Sequence, residues 1–376
     1  MDLLLTLVLF LILAKLAGEL AEKINMPPVM GELGAGILIG PSLLHIVTPS
    51  EFTDVLGDIG IIILLFLAGL DTDISDLRKS GKPSSLAAIG GVILPMGLGF
   101  GAATLLGFSQ TESVFIGAIL TATSVGITVR TLIDMKKLNT PLGMTILGAA
   151  VIDDVIGILI LTVLGSLATF SLLGFFGVVG KVLIFFILAL YLGFKFMPSI
   201  MGKIQRLSTP EALLSFSLIF VLGLSLIAKG MGLSEIIGAF FAGIILHRVS
   251  QEKVISEKVY SIGYSFFIPI FFVNIGVETD IGAVLETGLL AIAILAVAII
   301  GKIIGSGLGA KLGGFSYTDS LKVGIGMVPR MEVALIIARA GMRLGTIGES
   351  VFSITIVLVI ATTIITPLLL KATFKQ

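Results

Sequence analysis

Two neighbouring carboxylates, Asp153 and Asp154, interrupt the apolar run Ala149-Ala150-Val151-Ile152 before Val155-Ile156 resumes it. Three more ionisable residues share that setting: Lys302 follows Ile299-Ile300-Gly301, and Arg330 and Glu332 flank Met331 just after Pro329. Inside a bilayer a charge costs about 2.5–3.5 kcal/mol even on the lenient insertion scales, so each such residue is a functional candidate by default. Adjacent residues on a helix point about 100° apart. One partner therefore cannot satisfy both Asp153 and Asp154, and one carboxylate is left for something exchangeable. Arg330 and Glu332 carry opposite charges and can also neutralise one another, fixing helix packing.

Oxygen ligands complete the set. Thr123 and Ser124, in Thr121-Ala122-Thr123-Ser124-Val125-Gly126, offer hydroxyls in the middle of another apolar run. Carboxylate, hydroxyl and carbonyl oxygens suit a small hard cation, with Asp154 and Asp153 as its charged ligands. Burial disfavours a charged carboxylate while a nearby ammonium favours it, so such a group can hold a proton or a monovalent cation in alternation. Mutually exclusive occupancy of that kind is the chemistry of antiport.

These residues need helices to hold them. The 376 residues are 56% hydrophobic and 13% charged, with a mean hydropathy of +1.16, where soluble chains carry about 25% charged residues. Too few polar side chains are present to cover a soluble surface, which makes this an all-α polytopic membrane protein. The 24 basic and 24 acidic residues cancel, which removes the electrostatic case for nucleic-acid binding. Without cysteine there are no disulfides, thiol catalysis, cysteine zinc sites or iron–sulfur clusters. His45 and His247 stand far apart without companion ligands, and no Ser/His/Asp set supports hydrolysis. Gly305, Gly307 and Gly309 lie within an apolar helix, where small residues serve close packing, without the strand–turn–helix setting of a nucleotide loop. No cofactor is called for.

A hydrocarbon core of about 30 Å needs roughly 20 apolar residues per helix. About thirteen stretches qualify, at 3–22, 29–47, 55–71, 84–107, 112–133, 140–168, 174–199, 210–229, 232–249, 258–276, 286–312, 318–341 and 347–371. The first lacks a basic flank and a cleavage site and reads as a retained helix. Lys23, Arg78, Lys79, Lys82, Lys136, Lys137, Lys203, Arg206, Arg248, Lys253, Lys258, Lys311, Lys371 and Lys375 all fall in turns after odd-numbered helices. By the positive-inside rule those ends are cytoplasmic, placing the N-terminus outside and the C-terminus inside.

The chain also repeats. At an offset of 207 residues Gly31, Gly36 and Gly69 fall on Gly238, Gly243 and Gly276, and Thr72-Asp73-Ile74 on Thr279-Asp280-Ile281. Phe108, Ser109, Thr111, Ser113 and Gly117 then fall on Phe315, Ser316, Thr318, Ser320 and Gly324 without a gap. Helices 1–6 thus correspond to helices 8–13, joined by linker helix 7. A shift of seven helices is odd, so the second six-helix repeat must enter the membrane inverted. The same offset sets Thr121-Ala122-Thr123-Ser124 against Val328-Pro329-Arg330-Met331. Two crossed broken helices at matching places in inverted halves mark a transport site.

Ala150-Val151-Ile152-Asp153-Asp154-Val155, Ala122-Thr123-Ser124-Val125-Gly126-Ile127-Thr128, Gly301-Lys302 and Pro329-Arg330-Met331-Glu332-Val333 together resemble the monovalent cation:proton antiporter superfamily, most closely the NapA-like sodium/proton antiporters. The resemblance covers essentially the whole chain. It implies exchange of sodium or lithium for protons across a prokaryotic plasma membrane by a homodimer. It implies a dimerisation domain at 1–82 and 208–284, a transport core at 83–172 and 285–376 that moves elevator-fashion, and a linker at 173–207. It further implies that Asp154 is the principal carrier, that Asp153 pairs with Lys302, that Thr123 and Ser124 line the site, and that Arg330 and Glu332 stabilise the crossing. Met331 stands where relatives often carry Gly. Members with both aspartates and the lysine are generally electrogenic, two protons for one sodium. Related potassium efflux systems carry Gln for the first Asp and a nucleotide-sensing regulatory domain, and neither feature is expected here. Potassium/proton exchange is the alternative within the superfamily. A sodium-coupled organic-anion symporter would need a further set of substrate-binding polar groups.

Overall fold

The computed structural model describes residues 2–24, 26–165, 172–279 and 281–374. Their regular structure is helical throughout, because a chain in lipid must satisfy its backbone polar groups within each segment. In order the helices are α1 (Leu3–Lys23), α2 (Pro28–Ile39), α3 (Glu51–Leu70), a short α4 (Ile74–Lys79), α5 (Gly81–Leu105), α6 (Gln110–Thr121), α7 (Val125–Asp134), α8 (Pro141–Gly165) and α9 (Leu172–Ile204). They continue as α10 (Ala212–Gly230), α11 (Glu235–Leu246), α12 (Glu252–Ile262), a π-helical turn at Gly263–Phe267, α13 (Ile268–Glu278), α14 (Ile281–Leu312), α15 (Tyr317–Gly326), α16 (Glu332–Arg343) and α17 (Glu349–Phe374). Residues 166–171, at the predicted junction between the helices at 140–168 and 174–199, lie outside the described residues, as do Asp280 in the repeat and Lys375.

Among the described residues, ten helices are long and apolar enough to cross a membrane, where thirteen full spans were expected. The difference has local causes. The helix predicted over 29–47 stops at Ile39, because Gly40 is followed by Pro41, which lacks a donor and disfavours helical backbone in the residue before it. Its twelve residues rise only about 18 Å. The helix predicted over 232–249 is likewise twelve residues, Glu235–Leu246. The segment predicted at 318–341 is divided into α15 and α16, whereas that at 112–133, though divided into α6 and α7, is still one of the ten as Gln110–Asp134.

The repeat is visible in the element boundaries. The offset of 207 carries both ends of α2 onto both ends of α11, and α5 onto the part of α14 that runs from its kink at Gly288 to Leu312. Ser109 and Ser316, aligned in the sequence, are the N-caps of α6 and α15: Ser109 accepts from the Glu112 N–H at 3.2 Å and Ser316 from the Asp319 N–H at 3.1 Å. Each satisfies one of the donors that a helix start leaves open.

The chain forms two compact units. The first comprises Met1–Lys23, Gly31–Asp76 and Phe176–Glu278. Within it Phe10, Ala14, Ile39, Ile270 and Val273 form a buried cluster, and two helix crossings depend on glycine. A Cβ on Gly36 would lie 2.0 Å from the Val273 carbonyl oxygen, and one on Gly69 would lie 2.1 Å from that of Phe240. Gly36 faces Gly276 and Gly69 faces Gly243. Because Gly36 aligns with Gly243 and Gly69 with Gly276, exchanging the two halves turns one crossing into the other, as two-fold-related repeats require.

The second unit comprises Ile24–Met30, Leu77–Phe175 and Thr279–Gln376. Phe115, Ile116, Leu120, Ile294, Ala298, Ile337, Ile354 and Leu358 are among its buried core. All five mid-helix ionisable positions belong to this unit.

Candidate functional site

Both interruptions are stretches of non-helical chain. After α6, Ala122 (φ −59°, ψ 143°) and Ser124 (φ −94°, ψ 120°) leave the helix before α7 begins at Val125. After α15, residues 328–331 are non-helical until α16 begins at Glu332. Pro329 accounts for the second break by removing a donor. In the first, hydroxyl side chains compete for backbone partners.

Each break supplies what the other lacks. The Ser124 N–H donates to the Pro329 carbonyl at 2.6 Å. The Thr128 hydroxyl donates to the Gly326 carbonyl at 2.6 Å, and that of Thr123 lies 3.3 Å from the Met327 carbonyl. The Arg330 N–H donates to the Thr362 hydroxyl at 3.1 Å. Backbone groups freed at membrane depth are thereby satisfied within the protein.

Two buried cations hold the end of α6. The fully buried Arg330 guanidinium donates to the Leu120 carbonyl (2.8 Å), the Val328 carbonyl (2.7 Å) and the Ala298 carbonyl (3.0 Å). The equally buried Lys302 ammonium donates to the Thr121 carbonyl, to the Gly91 carbonyl at 2.9 Å and to Asp153 at 3.2 Å. Leu120 and Thr121 close α6, where unpaired carbonyls concentrate the negative end of the helix dipole. The cations thus sit where the fold has placed partial negative charge.

Asp153 is 3% exposed, is paired with Lys302 and neighbours Thr123. Asp154, 4% exposed, is the next residue of α8 and lies within electrostatic reach of Lys302. The Ser124 hydroxyl, 1% exposed, has no hydrogen-bond partner among the described residues. The structure therefore brings together Asp153, Lys302 and Thr123, and sets Pro329, Arg330 and Ser124 at the crossing. Met331 takes φ −152°, outside the left-handed region that would call for glycine. Glu332 opens α16, but its side chain lies outside what the structure describes.

Several members of this arrangement carried no sequence signal. Gly91, Thr121 and Ala298 act through main-chain carbonyls, which residue type does not report. Thr362 could have been suspected from the pair Thr362-Thr363 in the apolar α17. Arg130, near the end of α7, is 4% exposed and paired with Asp134 at 3.0 Å.

Chemically, the site offers two adjacent carboxylates, two fixed positive charges and hydroxyl and carbonyl oxygens, which is a set able to hold a monovalent cation as cargo or protons on its carboxyl groups.

Residues 7–376 match the family described as "Sodium/hydrogen exchanger, transmembrane". The chain is 41% identical over 368 residues to the "Probable Na(+)/H(+) antiporter GerT" of Bacillus cereus, covering 98% of both chains. It is 37% identical over 366 residues to the "Na(+)/H(+)-K(+) antiporter GerN" of the same organism, covering 97% of this chain and 95% of that one. Its fold is similar to the sodium proton antiporter MjNhaP1 of Methanocaldococcus jannaschii, with a TM-score of 0.69 at 20% identity over 98% of this chain and 96% of the other.

Proposed function

The chain belongs to the sodium/hydrogen exchanger family, and from that premise we propose that it exchanges sodium, or lithium, for protons at the two-aspartate site of its second unit. It is a transporter and not an enzyme. The observation that carries the reading is the pair of buried neighbours Asp153 and Asp154, one of them bonded to a buried ammonium, beside hydroxyls at the crossing of two broken helices. Burial disfavours the bare charged form of a carboxylate, and in this reading Asp154 alternates between holding a proton and holding a cation. Occupancy by one expels the other, and the exchange is coupled without any further device.

In this reading Asp154 is the principal carrier and Asp153 its partner, whose charge Lys302 balances until cargo arrives. Thr123 and Ser124 provide neutral oxygens, while Arg330, with Pro329 and Glu332, fixes the crossing. The segments 83–172 and 285–376 form the moving core. The segments 1–82 and 208–284, with 173–207 as linker, form the scaffold on which two copies assemble in the plasma membrane, N-terminus outside and C-terminus cytoplasmic. Two protons exchange for one sodium, so one net charge crosses per cycle.

A second reading, potassium/proton exchange at the same site, is favoured by the relative GerN, whose name includes potassium. One experiment separates the two. Proteoliposomes carrying an internal pH dye receive sodium, lithium or potassium in turn. Sodium and lithium are expected to discharge a preset proton gradient, and Asp154→Asn to abolish the response. A response to potassium of equal size favours the second reading, and one that survives in Asp154→Asn contradicts the site.

A further inference from the structure

Several buried hydroxyls of the second unit share one habit. Thr131, Thr145, Thr355, Thr362 and Thr366 each donate to the carbonyl four residues earlier, at 2.7–2.8 Å, as hydroxyls inside apolar helices generally do. Ser306 on α14 does not. It is fully buried, and its oxygen has no hydrogen-bond partner among the described residues. Its direction is fixed by a neighbour. A Cβ placed on Gly91 would lie 2.2 Å from the Ser306 oxygen and 3.4 Å from both Cε and Nζ of Lys302. Ser306, one helical turn after Lys302, and the ammonium therefore share the space over Gly91, a space left open because Gly91 has no side chain.

An ammonium has three donors. Those of Lys302 are taken up by the Gly91 carbonyl, the Thr121 carbonyl and the Asp153 carboxylate. The first two are main chain and persist. The third is the group that cargo neutralises, so loading the site weakens one N–H bond at a position with no access to water. A buried donor left without an acceptor is costly. The nearby oxygen with unused acceptor capacity is that of Ser306.

Resting on the exchange reading above, we propose that Ser306 is a positioning residue: it accepts the Lys302 ammonium when Asp153 turns to cargo, and so lowers the cost of releasing that carboxylate. Arg330 also faces Lys302 electrostatically, but as a fixed cation it opposes the ammonium and offers no acceptor.

The test compares wild type, Ser306→Ala, Ser306→Thr, Lys302→Gln and the double variant Lys302→Gln/Ser306→Ala. Two readouts are used: the apparent KM for sodium in proteoliposomes, and the sodium-induced rise in unfolding temperature in detergent, which needs no transport. Ser306→Ala is expected to raise the apparent KM about tenfold, as loss of a bond to a charged group implies, and to shift the sodium dose of stabilisation equally. The maximal rate should stay within about twofold, and Ser306→Thr should restore the wild-type dose. In the Lys302→Gln background, removal of the hydroxyl should leave the sodium dose unchanged. An unaltered dose in Ser306→Ala overturns the proposal, as does a shift of equal size in the Lys302→Gln background, which would mark plain packing. A wild type that sodium neither stabilises nor drives overturns the exchange reading itself, an outcome distinct from failure of Ser306 alone.

Discussion

Thr362 holds a place at the crossing that its type does not announce. Its hydroxyl donates to the Leu358 carbonyl and receives the Arg330 N–H, so one side chain serves both its own helix and the broken one. Thr362→Val keeps the shape and leaves that buried N–H without a partner, a loss of about 1–3 kcal/mol. It is expected to lower the unfolding temperature in detergent, whereas Thr362→Ser should stay close to wild type. The two variants behaving alike would contradict the role. The same residue shows what sequence could and could not disclose. Asp153, Asp154, Lys302 and Arg330 were legible because a charge in an apolar run is a signal in itself. The carbonyls of Gly91, Leu120, Thr121 and Ala298 were not, since every residue has one and only the fold decides which of them meets a cation.

Proline shows the corresponding limit for elements. Pro329 was expected to break its helix and does, yet Pro95, Pro198 and Pro367 sit inside α5, α9 and α17 without ending them. Pro329 differs in its surroundings: Ser124 from the opposite break takes its carbonyl and Arg330 takes that of Val328, so the open chain is supported from outside. Helix 2 was overestimated for the reverse reason, because apolar character continues to Val47 after Gly40-Pro41 has stopped the helix at Ile39. The glycine pairs that fixed the repeat were legible as matches, but their purpose emerged only as two crossings. Gly69→Ala would set a methyl 2.1 Å from the Phe240 carbonyl oxygen, and backbone there cannot yield without parting α3 from α11. Its unfolding temperature should fall by several degrees. Gly34→Ala on α2, with nothing within 4 Å, should be neutral or gain up to about 1 kcal/mol from better helix propensity. Equal effects from the two would remove close approach as the reason for glycine at 69.

For the whole molecule, 24 positive and 24 negative side chains give no net charge, and the distribution decides the function. Most lie at helix ends, where they can reach water, while the second unit keeps Asp153, Asp154, Lys302 and Arg330 almost wholly buried. If two protons exchange for one sodium, each cycle moves one charge, worth about 2.3 kcal/mol per 100 mV, and a membrane potential alone should drive sodium. The most direct measurement is sodium flux in proteoliposomes at equal pH on both sides, with a potassium diffusion potential imposed, for wild type and Asp154→Asn side by side. Wild type should move sodium toward the positive side against its own gradient while protons move the other way, and Asp154→Asn should move neither. Coupled flux that persists in Asp154→Asn, or wild-type flux indifferent to the potential, would contradict a charge-moving exchange carried by the paired aspartates.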